Sequence, residues 1–401
     1  MRIKHLSIAF TAVVLALGSG AAEAANTCSD LFAVVPAAPE VRLYEASQTL
    51  SQRVRDNAPD YWHFGRTNGS KYFGSELKTT GLVVGDAHPG NFVLAPLNEQ
   101  LQFYFSDLKD VGDAPVFLDF ARLVISTQAI MRRVEERPKL KDLTTILYEA
   151  YISGLNGRKL PTPSWLESTF NQSIDAFEAA EDRYIDKKTA YKRFRWEEDA
   201  IAPLESDKTL TPAAVSALKA NIDTAVRTIS PNAYILDYAV RPRERGGSRD
   251  LTRYWALVQI DEDVSIVEFK RIGTAATESY TPQGELKARY KKAMHTFWNA
   301  EDPKLKIVSL QLQQFLMRPK KVELFSVPYS PETAEEQQNL IELAAYDANH
   351  LGRLHAKQFD PEPFIDLLED NEKSIKKSLR KFTKDYLQRM IDLQEIQGQR
   401  R

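Results

Sequence analysis

The positions of apolar residues divide the chain into segments with a helical repeat and segments typical of strands. At 38–57 the apolar residues recur as on one face of a helix. Runs rich in β-branched and aromatic residues follow at 81–85, 92–95 and 101–106, and the turn-forming connection between the last two predicts a hairpin. Residues 116–229 then have, almost throughout, the repeat of about 3.6 residues that predicts helices.

After Pro231 the pattern changes to that of a β-rich block. Four segments enriched in β-branched and aromatic residues predict strands, and the letters DED predict a tight turn between the second and the third. These segments are YILDYAV, RYWALVQI, VSIVEFKRI and KKVELFSV. One predicted helix interrupts them near 282–300, and helical patterns return from residue 333 onward.

This order of segments predicts an α+β protein built from two lobes. We expect a large helical lobe at 25–230, a small antiparallel β-rich lobe at 231–330 and C-terminal helices at 331–401 that complete the fold. Hydrophobic residues make up 43% and charged residues 27% of the chain, as in ordinary globular proteins. The formal net charge of −2 gives no reason to expect nucleic acid as a partner.

Residues 1–24 have the three parts of a secretory signal peptide. Arg2 and Lys4 supply a basic start, residues 6–17 form an apolar run, and an A-x-A sequence ends at Ala24. We therefore expect cleavage near Ala24 and export to a bacterial periplasm. The apolar run is too short to cross a bilayer, and no later segment reaches the ~18 apolar residues that a membrane span needs, so we expect no span in the mature chain.

Three polar residues follow predicted strands in the segment GDAHPGNFVLAPLNEQLQFYFSD. Asp86 comes directly after the run at 81–85, Asn91 follows in the same loop, and Asp107 ends the second strand of the hairpin. Phosphoryl transfer needs a carboxylate that accepts the proton of the attacking hydroxyl, and it needs oxygen ligands that hold Mg²⁺ against the phosphates. The spacing favours such a site. The alternative interpretation is that the three residues only end strands in Asx turns.

The segment GDAHPGN…FSDLKDVGDAPVFLDFARL resembles the catalytic segment of the aminoglycoside and choline phosphotransferase branch of the protein-kinase-like superfamily. More closely, the chain resembles the bacterial domain-of-unknown-function 2252 family from about residue 45 to 360. The matching segments are HFGRTNG (63–69), GDAHPGNF (85–92), SDLKDVGDAPVFLDFARL (106–123), ERGGSRDLTRYWALVQI…VEFKR (244–271) and LGRLHA (351–356).

The resemblance implies a role for each matching residue of the catalytic segment. Asp86 would be the catalytic base, Asn91 a metal ligand and Asp107 the principal metal carboxylate. Asp119 would be a buried aspartate that braces the catalytic loop, and His88 would anchor that loop without a catalytic role.

A phosphotransferase also needs a flexible glycine loop over the phosphates and a lysine on a strand that reaches them. Gly246, Gly247 and Ser248 lead into one predicted strand, and Lys270 lies on the next. These elements follow the catalytic segment, so the resemblance implies a circularly permuted, two-lobed protein-kinase-like fold. The family also places an arginine at the position of Arg66, which we expect in an exposed loop and for which the sequence indicates no role.

The resulting hypothesis is an exported kinase-like phosphotransferase that uses magnesium and ATP, or another nucleotide, to phosphorylate a hydroxyl of an unidentified substrate. The alternative is a catalytically inactive kinase-fold protein that binds or scaffolds in the periplasm, where we expect little ATP. Two departures from the family pattern favour the alternative. Lys109 places a positive charge beside the predicted metal site, and no helix glutamate pairs securely with Lys270, Glu285 being the nearest candidate.

Overall fold

The computed structural model describes most of the chain. The described residues are 48–97, 100–131, 139–196, 201–242, 251–299, 301–320 and 331–398, with side chains described up to residue 393. All of them belong to one compact unit, Ala37–Arg401. The predicted signal peptide at 1–24 and the first half of the predicted helix at 38–57 lie outside the described residues.

In the described chain, most of the N-terminal half and the C-terminal end are helical. The strands of a sheet lie between these two parts of the sequence. The helices are α1 (Leu50–Asp56), α2 (Ala58–Asn68), α3 (Val116–Met131), α4 (Leu140–Leu155), α5 (Ser164–Phe170), α6 (Ile174–Lys188), α7 (Pro212–Arg227), α8 (Leu286–Ala293), α9 (Ala334–Ala356), α10 (Glu362–Asp370) and α11 (Glu372–Gly398). The strands are β1 (Thr80–Val83), β2 (Phe92–Leu97), β3 (Gln100–Phe105), β4 (Gly112–Pro115), β5 (Thr189–Ala190), β6 (Arg193–Phe194), β7 (Ala202–Pro203), β8 (Tyr234–Val240), β9 (Arg253–Ile260), β10 (Asp263–Arg271), β11 (Lys306–Leu310) and β12 (Gln313–Pro319). The α+β class predicted from the sequence is confirmed.

Helix α3 is the centre of what we call the helical region, which comprises residues 48–188 and 331–398. All sixteen of its residues are buried, and α1, α4, α9 and α11 pack around it. Such a helix is apolar on every side because it faces protein in every direction. The antiparallel pairs β1–β4 and β2–β3 lie in this region as well, and their ends carry the loops described below.

Helices α4 and α9 approach each other very closely. A Cβ atom at Gly154 in α4 would lie 2.1 Å from the backbone carbonyl oxygen of Asn349 in α9, so only glycine permits this distance between the two backbones. The side chain of Asn349 then donates hydrogen bonds to the carbonyl oxygens of Ala150 (3.2 Å) and Arg158 (2.8 Å). The close contact therefore also satisfies backbone groups at the C-terminal end of α4.

The sheet region, residues 189–320, contains a six-stranded antiparallel sheet with the strand order β11-β12-β10-β9-β8-β7. One face is covered by α7, whose Val215, Leu218 and Ile222 belong to the same apolar cluster as Phe269 of β10. The other face buries Trp255 and Leu257 of β9 together with Phe194 and Ile201. Because both faces are covered, β9 lacks the alternation of polar and apolar residues that a half-exposed strand has.

Several predicted elements are confirmed at their expected places. The hairpin β2–β3 matches the predicted runs, β8, β9 and β10 match YILDYAV, RYWALVQI and VSIVEFKRI, and α8 continues as a π-helical turn to Trp298 within the helix predicted near 282–300. Most of the fourth predicted strand, KKVELFSV, lies outside the described residues. Among the helices that the structure describes, none is both long and apolar enough to cross a membrane.

One prediction about local structure is wrong, and one hairpin was not predicted. Residues 116–229 are not helical throughout, because β5 and β6 form a hairpin and β7 joins the sheet. The sequence also gave no indication of the hairpin β11–β12. Both missed hairpins turn through two residues with positive φ, Tyr191-Lys192 and Gln311-Leu312. Such turns normally require Gly, Asn or Asp, and neither turn contains one.

We predict that Gly154→Ala destabilises the protein although alanine favours helices more than glycine. The added methyl group must displace the backbone of α9, and overpacking of this kind costs about 1–3 kcal/mol, more than the gain of about 1 kcal/mol in helix propensity. Urea unfolding measures the difference. Gly284→Ala is the control, because a Cβ at Gly284 would meet no atom within 4 Å. Equal unfolding midpoints for the two variants would contradict the packing argument.

Candidate active site

Two loops of the helical region contact each other, and strand β10 of the sheet region reaches them at the same place. The first follows β1 and carries Asp86; the second follows β3 and carries Asp107. Gly85 has a φ of +80°, and a Cβ atom there would lie 1.9 Å from the backbone carbonyl oxygen of Asp110. The two loops are therefore in direct backbone contact, and glycine is required at Gly85 both for its conformation and for this contact.

Asp119, fully buried in α3, supports the first loop. Its two carboxylate oxygens accept hydrogen bonds from the backbone N–H groups of Val84 (2.9 Å) and Gly85 (3.1 Å). His355 Nε2 lies 3.3 Å from Asp119 Oδ2, and Nδ1 of the same ring is 2.9 Å from the hydroxyl of Tyr151. These contacts fix the backbone immediately before Asp86.

Asp86 is paired with an arginine that lies one helical turn after Asp119. Arg122 has no exposed surface, and its Nη2 and Nε atoms lie 2.8 Å and 3.3 Å from Asp86 Oδ1. Nη2 also donates to the carbonyl oxygen of Val54 (2.7 Å), and the guanidinium lies over the ring of Tyr61. The negative charge of Asp86 is thus balanced by a buried guanidinium group, and only Oδ2 is without a contact to that group.

His88 and Asn91 hold the same loop in shape. Nδ1 of His88 accepts a hydrogen bond from the Gly90 N–H (3.1 Å), and its Nε2 lies 3.7 Å from Asp86 Oδ2. Burial, together with the charges of Arg55 and Arg122, keeps the pKa of His88 well below its usual value, so the ring is neutral near pH 7. The side-chain amide of Asn91 donates to the backbone carbonyl oxygen of Asp86 (2.9 Å).

Asp107 connects the two regions. Its Oδ2 is 2.8 Å from Lys270 Nζ of strand β10, and its Oδ1 accepts the backbone N–H of Lys109 (3.1 Å). Burial raises the pKa of Asp107, but the positive charges of Lys270, Lys109 and Arg318 outweigh this effect and hold that pKa well below its usual range. Burial lowers the pKa of Lys270 to about 8, since the attraction of Asp107 offsets it only in part. Near neutral pH both groups are charged.

Lys109 and Asp110 form a third pair in the second loop. Lys109 Nζ lies 2.9 Å from Asp110 Oδ2, and Asp110 Oδ1 accepts the backbone N–H of Ala276 (2.9 Å), which follows β10. Burial acts to lower the pKa of Lys109, but Asp110 and Asp107 raise it above its usual value. Lys109 is therefore a permanent positive charge at neutral pH.

Glu268 lies two residues before Lys270 and so on the same face of β10. It has no exposed surface and is paired with Arg253 Nη1 at 3.0 Å and Arg318 Nη2 at 3.4 Å. Burial raises the pKa of Glu268, but the two arginines outweigh burial and lower it below the usual glutamate range. Glu268 therefore balances the positive charge of the two arginines on this face of the sheet.

The remaining predicted residues lie elsewhere or outside the described residues. Glu285 does not contact Lys270; it is the exposed N-cap of α8 and accepts the N–H of Ala288 (2.7 Å). Arg66 lies half-buried in the last turn of α2 instead of in an exposed loop, because the polar stretch around it is an amphipathic helix that buries Tyr61 and Trp62. The predicted glycine loop, Gly246, Gly247 and Ser248, falls in the undescribed segment 243–250, between β8 and β9.

The family to which the chain belongs follows from a match to a known protein family. The family model described as "Uncharacterized protein conserved in bacteria (DUF2252)" matches residues 75–392, a range that includes both loops and strand β10. The chain belongs to this DUF2252 family. No curated protein and no solved structure matches it.

The donor atoms of the DUF2252 site do not fit a resident magnesium ion held by Asn91 and Asp107. A divalent cation needs carboxylate charge that no other cation compensates. Here each loop carboxylate already has its own basic partner, and both oxygens of Asp107 accept hydrogen bonds. The pairs are Asp86–Arg122, Asp107–Lys270 and Asp110–Lys109. Among the residues that the structure describes, no group of three or more His, Cys, Asp or Glu side chains is placed to hold a metal ion.

Sequence reasoning identified Asp86 and Asp107 of this DUF2252 site but missed Asp110 and Glu268, and it missed the partners of Asp86 and Glu268. Arg122 could have been found, because it stands with Asp119 in an otherwise apolar run, FLDFARLVI, and a charge in a fully buried helix requires a partner. Arg253 and Arg318 could not have been found in this way. Their pairing with Glu268 depends on the register of three strands, one of which was not predicted.

We predict that Arg122→Met destabilises the protein by about 3–5 kcal/mol, because it leaves the buried carboxylate of Asp86 without a counter-charge. The double variant Asp86→Asn/Arg122→Met should recover most of this loss, since it removes both charges. Urea unfolding at pH 7 measures both. Lys219→Met is the control, because it breaks an exposed pair with Glu205, worth at most about 1 kcal/mol. A single variant as stable as this control would show that the pair contributes no specific stability.

We predict that Glu268→Gln destabilises the protein by about 3 kcal/mol at pH 7, since two arginines lose their counter-charge. The folded-state pKa of Glu268 is depressed, so its contribution is complete above the unfolded-state pKa of about 4.5 and is lost as the pH falls below it. The difference in unfolding free energy between wild type and Glu268→Gln should therefore become smaller as the pH falls. Urea unfolding at a series of pH values measures it, with Glu205→Gln as the exposed control. A gap that stays constant in acid would exclude a depressed pKa.

Proposed function

We propose that this chain is a kinase-like phosphotransferase that binds a nucleotide between the sheet region and the helical region and transfers a phosphoryl group to a hydroxyl of its substrate. The observation that carries the proposal is the pairing of Lys270 with Asp107 at 2.8 Å, next to the loop of Asp86. A strand lysine, a carboxylate after a hairpin and a second carboxylate in a preceding loop are the groups that protein kinases bring together.

The order of elements in the sheet region supports the same proposal. Strands β8 and β9 flank the undescribed segment that contains the predicted glycine loop. The next strand, β10, carries Lys270, and along the chain α8 lies between β10 and the hairpin β11–β12. A strand, a glycine loop, a strand and then a strand with a lysine form the nucleotide-binding half of a kinase. Because these elements follow the catalytic segment in the chain, the proposed fold is a circularly permuted, two-lobed kinase-like fold.

The contacts suggest a separate role for each of these side chains in phosphoryl transfer. Arg122 holds Oδ1 of Asp86 and fixes the orientation of the carboxylate, so that Oδ2 is the oxygen that would accept the proton of the attacking hydroxyl. Neutral His88 beside Oδ2 adds no competing charge. Lys270 would bind a phosphate oxygen by moving its ammonium group from Asp107 to the ligand.

A second candidate function, nucleotide binding without turnover, is favoured by one specific observation. The guanidinium of Arg122 contacts the carboxylate proposed as the base, so this carboxylate already serves as the counter-charge of a buried arginine. In that case the chain would be a kinase-fold binding or scaffolding protein. Export to the periplasm, which rests on residues 1–24, remains a prediction under either function.

We predict that ATP raises the melting temperature of the full chain and that Lys270→Met weakens this effect, because a ligand that binds only the folded state stabilises it. Asp86→Asn should retain the ATP-induced shift but lower phosphoryl transfer, followed as ADP release with mixed alcohols and sugars as acceptors, by about 10²–10⁴-fold, the usual contribution of a general base. Lys219→Met should match wild type in both assays.

The outcomes of this experiment separate the candidates. Loss of turnover with retained binding in Asp86→Asn supports the enzyme, and binding without any turnover in wild type supports the binding protein. An unchanged melting temperature with ATP, GTP and the other common nucleotides would contradict both candidate functions. Asp86→Asn keeps an oxygen that accepts from Arg122, so its unliganded melting temperature serves to check that the variant is folded.

A further inference from the structure

The charged groups at the junction of the two regions do not form an acidic site. They form a cluster of four carboxylates and five basic side chains in four ion-paired groups, and these nine side chains together have an excess of one positive charge. Its members are Asp86, Asp107, Asp110, Glu268, Lys109, Arg122, Arg253, Lys270 and Arg318. An excess of positive charge in a largely buried setting attracts anions and repels a divalent cation.

The cluster is accessible to solvent mainly at Asp107 and Arg318. The Asp107 side chain is 29% exposed and that of Arg318 27%, whereas the side chains of Lys270 and Lys109 are 4% and 12% exposed. A ligand that approaches Asp107 therefore meets the ammonium group of Lys270 directly behind it. Each ammonium group has three donors, so Lys270 can exchange its contact with Asp107 for contacts with phosphate oxygens.

Lys109 supplies a second positive charge that acts on Asp107. Its backbone N–H donates to Asp107 Oδ1 and its ammonium group contacts Asp110, so the second loop holds this charge in a fixed place. The charges of Asp107 and Asp86 both act on Lys109, as does that of its partner Asp110, so the ammonium group is near both predicted functional carboxylates. This is the position at which a kinase-like site would need a cation against the phosphates.

We propose that Lys109 and Lys270 bind the phosphate groups of the nucleotide directly and replace a divalent cation, so that a polyphosphate binds this site without metal. The inference rests on the proposed function for the identity of the ligand, a nucleotide, and goes beyond it in assigning the charge that binds the phosphates. Magnesium in solution then weakens binding, because it neutralises the phosphate charge that the two lysines recognise.

Calorimetric titration of the full chain with ATP and with inorganic tripolyphosphate, each in EDTA and in excess magnesium, tests the inference. We expect both probes to bind in EDTA at least as tightly as in magnesium. Lys109→Gln should weaken binding in EDTA by about 10-fold or more, since charged hydrogen bonds of this kind are lost. Lys109→Arg, which keeps the charge, should retain most of the affinity. Lys219→Gln, which changes an exposed lysine of the sheet region, should behave as wild type.

The outcomes of the titration test the metal-free binding inference and the proposed function separately. ATP binding that requires magnesium would overturn the inference but leave the proposed function standing, whereas no binding of ATP in either condition would overturn both. Wild-type affinity of Lys109→Gln in EDTA would remove Lys109 from the site. If Lys109→Gln fails to fold because Asp110 loses its partner, the magnesium dependence of wild type and of Lys109→Arg still decides whether metal is needed.

Discussion

The ion pair between Asp107 and Lys270 is the contact on which the arrangement of the site depends. It joins a loop of the helical region to the central part of the sheet, and the Lys270 side chain is almost completely removed from water while that of Asp107 is 29% exposed. Burial of a charge is tolerated only when a partner compensates it. The pair therefore fixes the sheet against the loops in the absence of any ligand, and a ligand that binds Lys270 must compete with Asp107 for it.

Helix α3 supplies the second constraint. Asp119 and Arg122 lie three residues apart, on neighbouring positions of one helix face. The first binds the backbone before Asp86, and the second binds the Asp86 carboxylate itself. Because α3 is buried along its whole length, neither residue can satisfy its charge with water. The core of the helical region thus determines both where the first loop lies and how its carboxylate is oriented.

The sequence was sufficient to predict elements whose pattern is local. Strands β8, β9 and β10 are rich in β-branched and aromatic residues, and the loops that carry Asp86 and Asp107 follow strands that the pattern also indicates. The hairpin β11–β12 was missed because its turn, Gln311-Leu312, adopts the left-handed conformation without glycine or asparagine. Two pairings of the carboxylates were missed for another reason. Lys270 was predicted as a site residue, but its pairing with Asp107, like that of Arg318 with Glu268, depends on strand pairing and on the packing of the two regions, which the local pattern does not show.

The pairing of the carboxylates changes the meaning of the sequence motif. A loop with Asp86, Asn91 and Asp107 indicates a metal site when it is considered alone, because oxygen ligands are what magnesium prefers. Once Arg122, Lys270 and Lys109 are placed, the same carboxylates are the counter-charges of basic side chains, which is the basis for proposing a phosphate-bearing ligand in place of a free cation. Under the proposed function, Asp86 Oδ2 would be the atom on which turnover depends, because Oδ1 is already bound to Arg122. A phosphotransferase would use that second oxygen to accept the proton of the attacking hydroxyl, whereas a protein that only binds its nucleotide would need the carboxylate only as the counter-charge of Arg122.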